Sequence, residues 1–511
     1  METGIKLDEK AKNTLIIGGG SACNTLLNEI FSARDSSYVG DKCFAQFNPV
    51  CIVDNDPEKL GTEILGVKIV GIPEDIPKFI KEYQVEQLIL AIPSIGSEER
   101  KRMIDICINT NLPLKIVPFI GNLILDNSSS LLGQVRDIKV EELLGRDPVK
   151  FDNKDIREFI SGKVCMVTGG GGSIGSEIVR QIAKYNPQQV IIVDIYENNA
   201  YEIQQELIMD YGDGLDHVTL IASIRDYFRM NQIFERYKPQ IVFHAAAHKH
   251  VPLMEISPME AIKNNVIGTF NVATLAQFHD VEKFVMISTD KAVNPTNAMG
   301  ASKRCCEMIV QYLSQQNEGK TEFVTTRFGN VLGSNGSVIP LFRKQIEQGK
   351  PVTVTHKDVI RYFMTIPEAV SLVMEAAAIA KGGEIFVMDM GQPVKIITLA
   401  ENLIRMYGKV PYVDVPIIFT GLRPGEKMKE ELLMMEEGLQ KTSNKLIFIG
   451  KQLDIDEKHF AEQLRELRDA ALTNNEAVAV RALHQMVPTY VAPEEYNNME
   501  LQNISENVEK E

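Results

Sequence analysis

The chain has 511 residues, more than one hydrophobic core normally serves, with 44% hydrophobic and 24% charged residues, which excludes a small peptide-like module and a mainly disordered chain. Its 54 Lys and Arg against 69 Asp and Glu leave a net charge of −15, which argues against broad binding to a nucleic-acid backbone while allowing a local basic pocket. The seven cysteines lack Cys-x-x-Cys or zinc-ligand spacing, no signal peptide is evident and no apolar run approaches about 20 residues, so the chain as given is expected to be soluble and cytoplasmic.

The first predicted strand, Thr14 to Ile17, runs into Gly18-Gly19-Gly20, and a second, Val50 to Val53, ends at Asp54. Strand, glycine turn, helix, strand and acid is the order of a nucleotide-binding βαβ unit. The pattern is incomplete, because the third small position is Cys23 and the following helix passes Ser32, Asp35 and Ser36 into a Gly40 turn. A structural or regulatory Rossmann-like α/β domain is the favoured reading for residues 1–125, with a nucleotide-like ligand as the alternative. Its later strands are Gln87 to Ile92 and Lys115 to Val117. Residues 126–160, opening with the polar Asp126 to Ser130 and continuing as a charged, poorly periodic stretch, read as an interdomain linker.

The second glycine turn is stronger. Strand Lys163 to Thr168 leads into Gly169-Gly170-Gly171-Gly172-Ser173-Ile174-Gly175, and strand Val190 to Val193 ends at Asp194, 19 residues beyond Gly175. Gly169, Gly172 and Gly175 let backbone and pyrophosphate approach, and the N–H groups of Ser173 and Ile174 open a helix whose dipole favours an anion. Asp194 suits an adenosine ribose and repels a 2′-phosphate, so the predicted cofactor is NAD rather than NADP. Further strands at Val218 to Leu220, Ile241 to Phe243, Phe284 to Ile287 and Phe323 to Thr326 make a doubly wound parallel sheet. From about residue 330 onward, mixed loops, short helices and strands suggest a smaller substrate-binding region. The catalytic domain is expected over 161–450, a helical segment over 451–490 and a mobile acidic tail over 491–511.

Ligands of such sheets lie at the carboxyl ends of strands. There Asp226 is placed to contact adenine or to cap a helix. The run His244-Ala245-Ala246-Ala247-His248-Lys249-His250 offers Ala245 and Ala246 for close cofactor approach and Lys249 for a substrate phosphate. No carboxylate or thiol set completes a metal site around the three histidines, so none is predicted. The next exit gives Ser288-Thr289-Asp290-Lys291, followed by a helix near Met299 on which Met299 and Lys303 share a face. Lys303 is placed to hold the nicotinamide ribose. Asn330 and Ser337 belong to a loop suited to sugar or diphosphate, and Arg361 and Arg423 are placed to neutralise the diphosphate, with loop anchoring as the alternative.

Taken together, Thr168 to Gly175, His244 to Pro252, Ser288 to Ala292, Arg327-Phe328-Gly329-Asn330-Val331 and Arg423-Pro424-Gly425-Glu426-Lys427 resemble the extended short-chain dehydrogenase/reductase enzymes. Within them the likeness is to the large nucleotide-sugar 4,6-dehydratases of capsule and protein-glycosylation pathways. The resemblance implies a UDP-N-acetylglucosamine substrate, with Glu426 among the substrate-binding residues, and a homodimer or higher homo-oligomer without nucleic acid. Large members of that family usually carry transmembrane helices before their first domain, so the resemblance implies either an excised portion, then at the cytoplasmic face of the inner membrane, or a naturally soluble member. The superfamily's tyrosine, four residues before the lysine, is here Met299, whose thioether has no proton to exchange. The implied route is oxidation at C4, proton removal from C5 by Lys291, protonation of the leaving C6 hydroxyl by Asp290 and reduction at C6, with Thr289 at the C4 oxygen and NAD recycled. A nucleotide-sugar 4-epimerase and a non-catalytic nucleotide-sugar sensor are the alternatives.

Overall fold

The computed structural model describes residues 11–35, 46–118, 130–144, 154–316, 320–432, 438–450 and 455–499. The Gly40 turn, Asp126 to Ser129 and the end of the acidic tail lie outside the described residues. The chain divides into two compact units, Met1–Lys150 with Phe342–Thr353 and Thr398–Ile418, and Phe151–Leu341 with Val354–Ile397 and Phe419–Glu511. Among the described residues no helix is long and apolar enough to cross a membrane.

In the first unit, β1 (Lys12–Ile17), α1 (Ser21–Asp35), β2 (Phe47–Val53), β3 (Glu63–Ile64), β4 (Val67–Gly71), α2 (Ile76–Glu82), β5 (Gln87–Leu90), α3 (Ser97–Ile108), β6 (Leu114–Ile116) and β7 (Arg136–Asp137) follow in order. They form one sheet, β3-β4-β2-β1-β5-β6-β7, whose central pairs are parallel. The α1 face is held by Cys23, Leu26, Leu27 and Ile30, all fully buried against Ile16, Ile52 and Ile89. Full burial of each large aliphatic side chain contributes about 1.5–3 kcal/mol.

The second unit opens with α4 (Lys154–Ile160), within the stretch expected to be linker; Ile156 and Ile160, four apart, are fully buried in its core. Next come β8 (Val164–Thr168), α5 (Ser173–Ala183), β9 (Gln189–Asp194), α6 (Glu197–Tyr211), β10 (His217–Ile221), α7 (Tyr227–Tyr237) and β11 (Ile241–His244). After these are α8 (Val251–Ile256), α9 (Pro258–Ala261), α10 (Gly268–Phe278), β12 (Lys283–Thr289), α11 (Ala298–Gln316) and β13 (Glu322–Phe328). The chain then continues through β14 (Asn330–Val331), α12 (Val338–Glu347), β15 (Val352–Val354), β16 (Ile360–Arg361), β17 (Phe363–Met364), α13 (Ile366–Ile379), β18 (Ile385–Met388), β19 (Val394–Lys395), α14 (Ile396–Met406), β20 (Ile417–Phe419), β21 (Leu439–Lys441), β22 (Ile447–Gly450), α15 (Glu457–Leu472) and α16 (Glu476–Met486). Most of α12, β15, α14 and β20 falls in the first unit, so the expected 161–450 domain is not one continuous compact unit.

Its main sheet runs β10-β9-β8-β11-β12-β13-β18-β22-β21, parallel through β18 and antiparallel beyond. Strand β8 is buried at all five positions, which is why its sequence is continuously apolar rather than alternating. The order reverses between β8 and β11, and that crevice at the strands' carboxyl ends is where an open α/β sheet receives a ligand. The α15–α16 hairpin packs Phe460, Leu467 and Leu483 into the same core as Val272, Ala276, Ile309 and Leu313 of α10 and α11. Beyond it, the acidic segment expected to be mobile is helical over 493–499. Val491 N donates to Pro295 O at 3.0 Å, and Gly425 N to Asn497 Oδ1 at 3.3 Å.

Candidate active site

At the second glycine turn, Gly169 has φ +70°, and a Cβ there would stand 2.7 Å from the Ala246 backbone. At Gly175 a Cβ would meet Gly169 O at 2.0 Å, so only glycine lets α5 close onto the turn. Gly172 is open apart from Gly169 O at 3.2 Å, and as the N-cap of α5 it makes no side-chain capping bond. The first-turn N–H groups at Ser173 and Ile174 are thus arranged to receive an anion. Asp194 accepts from Gly171 N and Tyr196 N, each at 2.9 Å. Phosphate-binding amides beside a ribose-reading carboxylate fit an adenine dinucleotide. Asp226 caps α7 by accepting Arg229 N at 2.9 Å, so the capping alternative describes its place in the fold.

The histidine run does three separate jobs. His244, fully buried, lies between the Thr168 and Thr269 hydroxyls at 2.8 and 2.9 Å. Burial, with Lys303 nearby, brings its pKa down to about 3, so it is neutral and ties β8 to α10. His248 is held through its main chain by Asn265, whose side chain also donates to Ser302 of α11. Asn265 lies in a π-helical segment, Ile262–Ile267, the kind of local widening that aims side chains into sites. The His250 ring packs against Gly336, where a Cβ would be 2.5 Å away. The neighbouring Asn335 N donates to Ser173 Oγ at 3.1 Å, so this loop lies against the phosphate-binding turn. The Ser337 hydroxyl in the loop is buried without a hydrogen-bond partner, whereas Lys249 is exposed.

The reactive group forms where β12 ends. Thr289 Oγ1 donates to Asp290 Oδ1 at 2.9 Å, and Lys291 Nζ donates to the same oxygen at 3.0 Å. Asp290 is fully buried, and its Oδ2 has no hydrogen-bond partner. Asn330 Oδ1 accepts from Lys291 Nζ at 3.4 Å. Burial presses the Lys291 amine toward neutrality, but the carboxylates of Asp290 and Glu430 more than offset it and raise its pKa. These neighbours favour the ammonium form of Lys291. Gly300, at the start of α11, permits the close approach of this turn; a Cβ there would lie 2.3 Å from Lys291 O. Lys303 Nζ donates to Ile287 O at 2.7 Å, while Met299 is buried with Met254 and Ala261. The Met299 side chain packs in an apolar cluster, as its chemistry requires.

Behind the site, Glu307 binds Arg327 and Arg304, each at 2.7 Å, and Ser288 Oγ at 2.6 Å. Burial opposes its charge, yet the two guanidinium groups bring the pKa down to about 2. This network fixes β12, β13 and α11 together just before Thr289.

Arg361 is committed to protein partners: the carbonyls of Ile360 and Met428 at 2.8 and 3.2 Å, Glu426 Oε1 at 3.1 Å and Glu430 Oε1 at 3.9 Å. In this arrangement it anchors the loop rather than standing free for a diphosphate, and Glu426 is its partner. Arg423 is exposed, with its main-chain N–H bonded to Glu426 Oε2 at 3.1 Å. The sequence reading missed Glu430, Glu307 and Gly300. Glu430 is four residues beyond Glu426, a spacing that was available but acquires meaning only once β16 brings Arg361 between them.

The family model described as polysaccharide biosynthesis protein matches residues 165–452. The chain is 47% identical over 441 residues to the capsular polysaccharide biosynthesis protein CapD of Staphylococcus aureus, covering 86% of this chain and 72% of that protein. It is 38% identical over 280 residues to a UDP-glucose 4-epimerase of Rickettsia typhi, 54% of this chain and 79% of the relative. The X-ray structure of Pen from Bacillus thuringiensis is similar with a TM-score of 0.53 and 34% identity, covering 57% of this chain and 90% of that one.

Proposed function

The chain belongs to the polysaccharide biosynthesis protein family, and on that footing we propose that it is an NAD-dependent UDP-N-acetylglucosamine 4,6-dehydratase. Asp290 carries the reading. One of its oxygens is fixed by Thr289 and Lys291, while the other is buried without a partner, a disposition suited to giving a proton to a leaving hydroxyl. NAD, when bound, supplies a hydride acceptor for C4 and afterwards a donor for C6. The amides at Ser173 and Ile174 bind its pyrophosphate, Asp194 its adenosine ribose and Lys303 its nicotinamide ribose. Thr289 orients the C4 oxygen, Lys291 removes the C5 proton that the 4-keto group acidifies, and Asp290 protonates the C6 hydroxyl as it leaves. The products are a 4-keto-6-deoxy sugar nucleotide and water. Exposed Arg423 and Lys249 and the unpartnered hydroxyl of Ser337 are the groups offered to the substrate diphosphate and sugar.

Likeness to the Rickettsia protein favours a 4-epimerase as the second reading. Against it, the residue four before Lys303 is the packed Met299, which has no proton for the epimerase's acid-base step. A D290N, K291A and T289A series with C5-deuterated substrate tests the assignment. Loss of C5 exchange by about 100-fold or more is expected in K291A; wild-type exchange there would remove Lys291 as the base. The homo-oligomer and the cytoplasmic setting are part of the same proposal, and light scattering of the purified chain tests the former.

A further inference from the structure

Lys291 faces two carboxyl groups. Its Nζ lies 3.0 Å from Asp290 Oδ1 and 3.5 Å from Glu430 Oε1. Glu430 is only 5% exposed, and beyond it stands Arg361, which also pairs with Glu426 at 3.1 Å. Neighbouring charges of the same segment are occupied elsewhere or exposed. Lys427 binds Val293 O and Glu431, Glu431 also accepts from Asn294, and Lys429 is exposed. The enclosed cluster thus holds Asp290, Glu426 and Glu430 against Lys291 and Arg361, one negative charge in excess. Burying an uncompensated charge is costly, and one proton shared among the carboxyl groups removes it. Arg361 does not give up a proton, so the labile protons of the neutral cluster belong to Lys291 and the three acids.

We propose that Glu430 is a positioning residue that holds the Lys291 amine together with Asp290 and takes the proton that Lys291 must lose before acting as base. The inference rests on the dehydratase reading. In the ground state that elimination requires, the Lys291 ammonium stands beside the Glu430 carboxylate, and Asp290 carries the proton destined for the leaving oxygen. As their contact shortens, the N–H bond of Lys291 breaks and an O–H bond forms on Glu430, with no change in net charge. The freed nitrogen pair takes the C5 proton, the C5–H electrons form the C5–C6 double bond, and the C6–O bond breaks as Asp290 protonates the departing oxygen. Lys291 then relays a proton to Asp290 and receives one from Glu430, which restores the ground state. During reduction at C6, the ammonium returns a proton to C5. The proton shed by the C4 hydroxyl on oxidation replaces the one that leaves in water.

The test uses full-chain E430Q and E430D with NAD and UDP-N-acetylglucosamine. C5 exchange into deuterated water is followed across pH, beside single-turnover absorbance of the reduced cofactor. In E430Q, C4 oxidation is expected within about threefold of wild type and C5 exchange about tenfold or more slower at neutral pH. The deficit should shrink as pH rises, because solvent base takes over the lysine proton, and E430D should recover part of it. An unchanged exchange profile in E430Q overturns the proposal, as does equal loss of both steps at every pH, which marks a purely structural residue. A wild-type chain that forms a C4 epimer and no methyl-bearing product overturns the dehydratase reading itself.

Discussion

The two glycine turns share one local grammar and differ in what surrounds it. In the first unit, Asp54 accepts Gly19 N at 2.6 Å and Asp56 N at 2.9 Å, and Lys59 Nζ bonds both its oxygens at 3.2 and 3.3 Å. In the second, Asp194 takes two main-chain N–H groups. The third small position is Cys23 in one, a fully buried thiol whose pKa burial pushes up to about 12, and Gly175 in the other, where no Cβ fits. The two differ in that Lys59 also occupies the first acid, whereas the second keeps acceptor capacity beside a turn that only glycine lets the helix approach. The first turn spends the same atoms on holding itself together.

The sharpest way to break that contrast is Gly175→Ala. Its Cβ would collide with Gly169 O, so NAD binding should fall by about 100-fold or more and thermal stability should drop. Gly20→Ala at the first turn meets nothing within 4 Å, and its effect should stay within about 0.5 kcal/mol. Calorimetric NAD titration and melting curves of both variants check the pair; equal effects would erase the distinction.

Next in size is Glu307→Gln, which leaves two buried guanidinium groups poorly compensated and should cost about 3–5 kcal/mol in urea unfolding. The acid dependence has a definite sign. A carboxyl lowered to about 2 contributes stability that is fully present above the ordinary carboxylate range and is lost as pH falls from there through about 2. Urea midpoints of the wild type should decline across that window, and those of the variant less steeply.

Smaller effects sharpen the acids themselves. Asp194→Asn should weaken NAD about tenfold and narrow the preference over NADP, while Asp54→Asn should leave NAD affinity unchanged. Lys59→Ala, on a partly exposed pair, should shift stability by less than about 1 kcal/mol. The smallest is a pH trend: because its two carboxylate neighbours favour the Lys291 ammonium, wild-type C5 exchange should rise gradually from about pH 6 to pH 9. A flat profile would show that Lys291 is already neutral.

Much of this contrast was written locally. Cys23 in place of a small residue, the run Gly169 to Gly175 and Thr289-Asp290-Lys291 are contiguous features whose chemistry needs no tertiary partner to be named. Central strands such as β5 and β8 were visible as apolar runs because they are buried on both faces, whereas the short, more exposed β3, β7 and β21 were not. What escaped depends on distant chain meeting. Helix α4 exposes its charged residues and buries Ile156 and Ile160, with Phe159 half-buried against the same core, a stretch too short for a clear periodic signal. Lys59 neutralises Asp54 through a short turn, and Glu430 reaches Lys291 from the far end of the unit. Arg361 read as a diphosphate ligand because an arginine's sequence does not reveal the carboxylates that already hold it.

The most direct test of the central claim is proton NMR of the purified chain with NAD and UDP-N-acetylglucosamine in deuterated water. Dehydration predicts a new C6 methyl signal attached to a deuterated C5. Conversion to the C4 epimer with no methyl signal would contradict it.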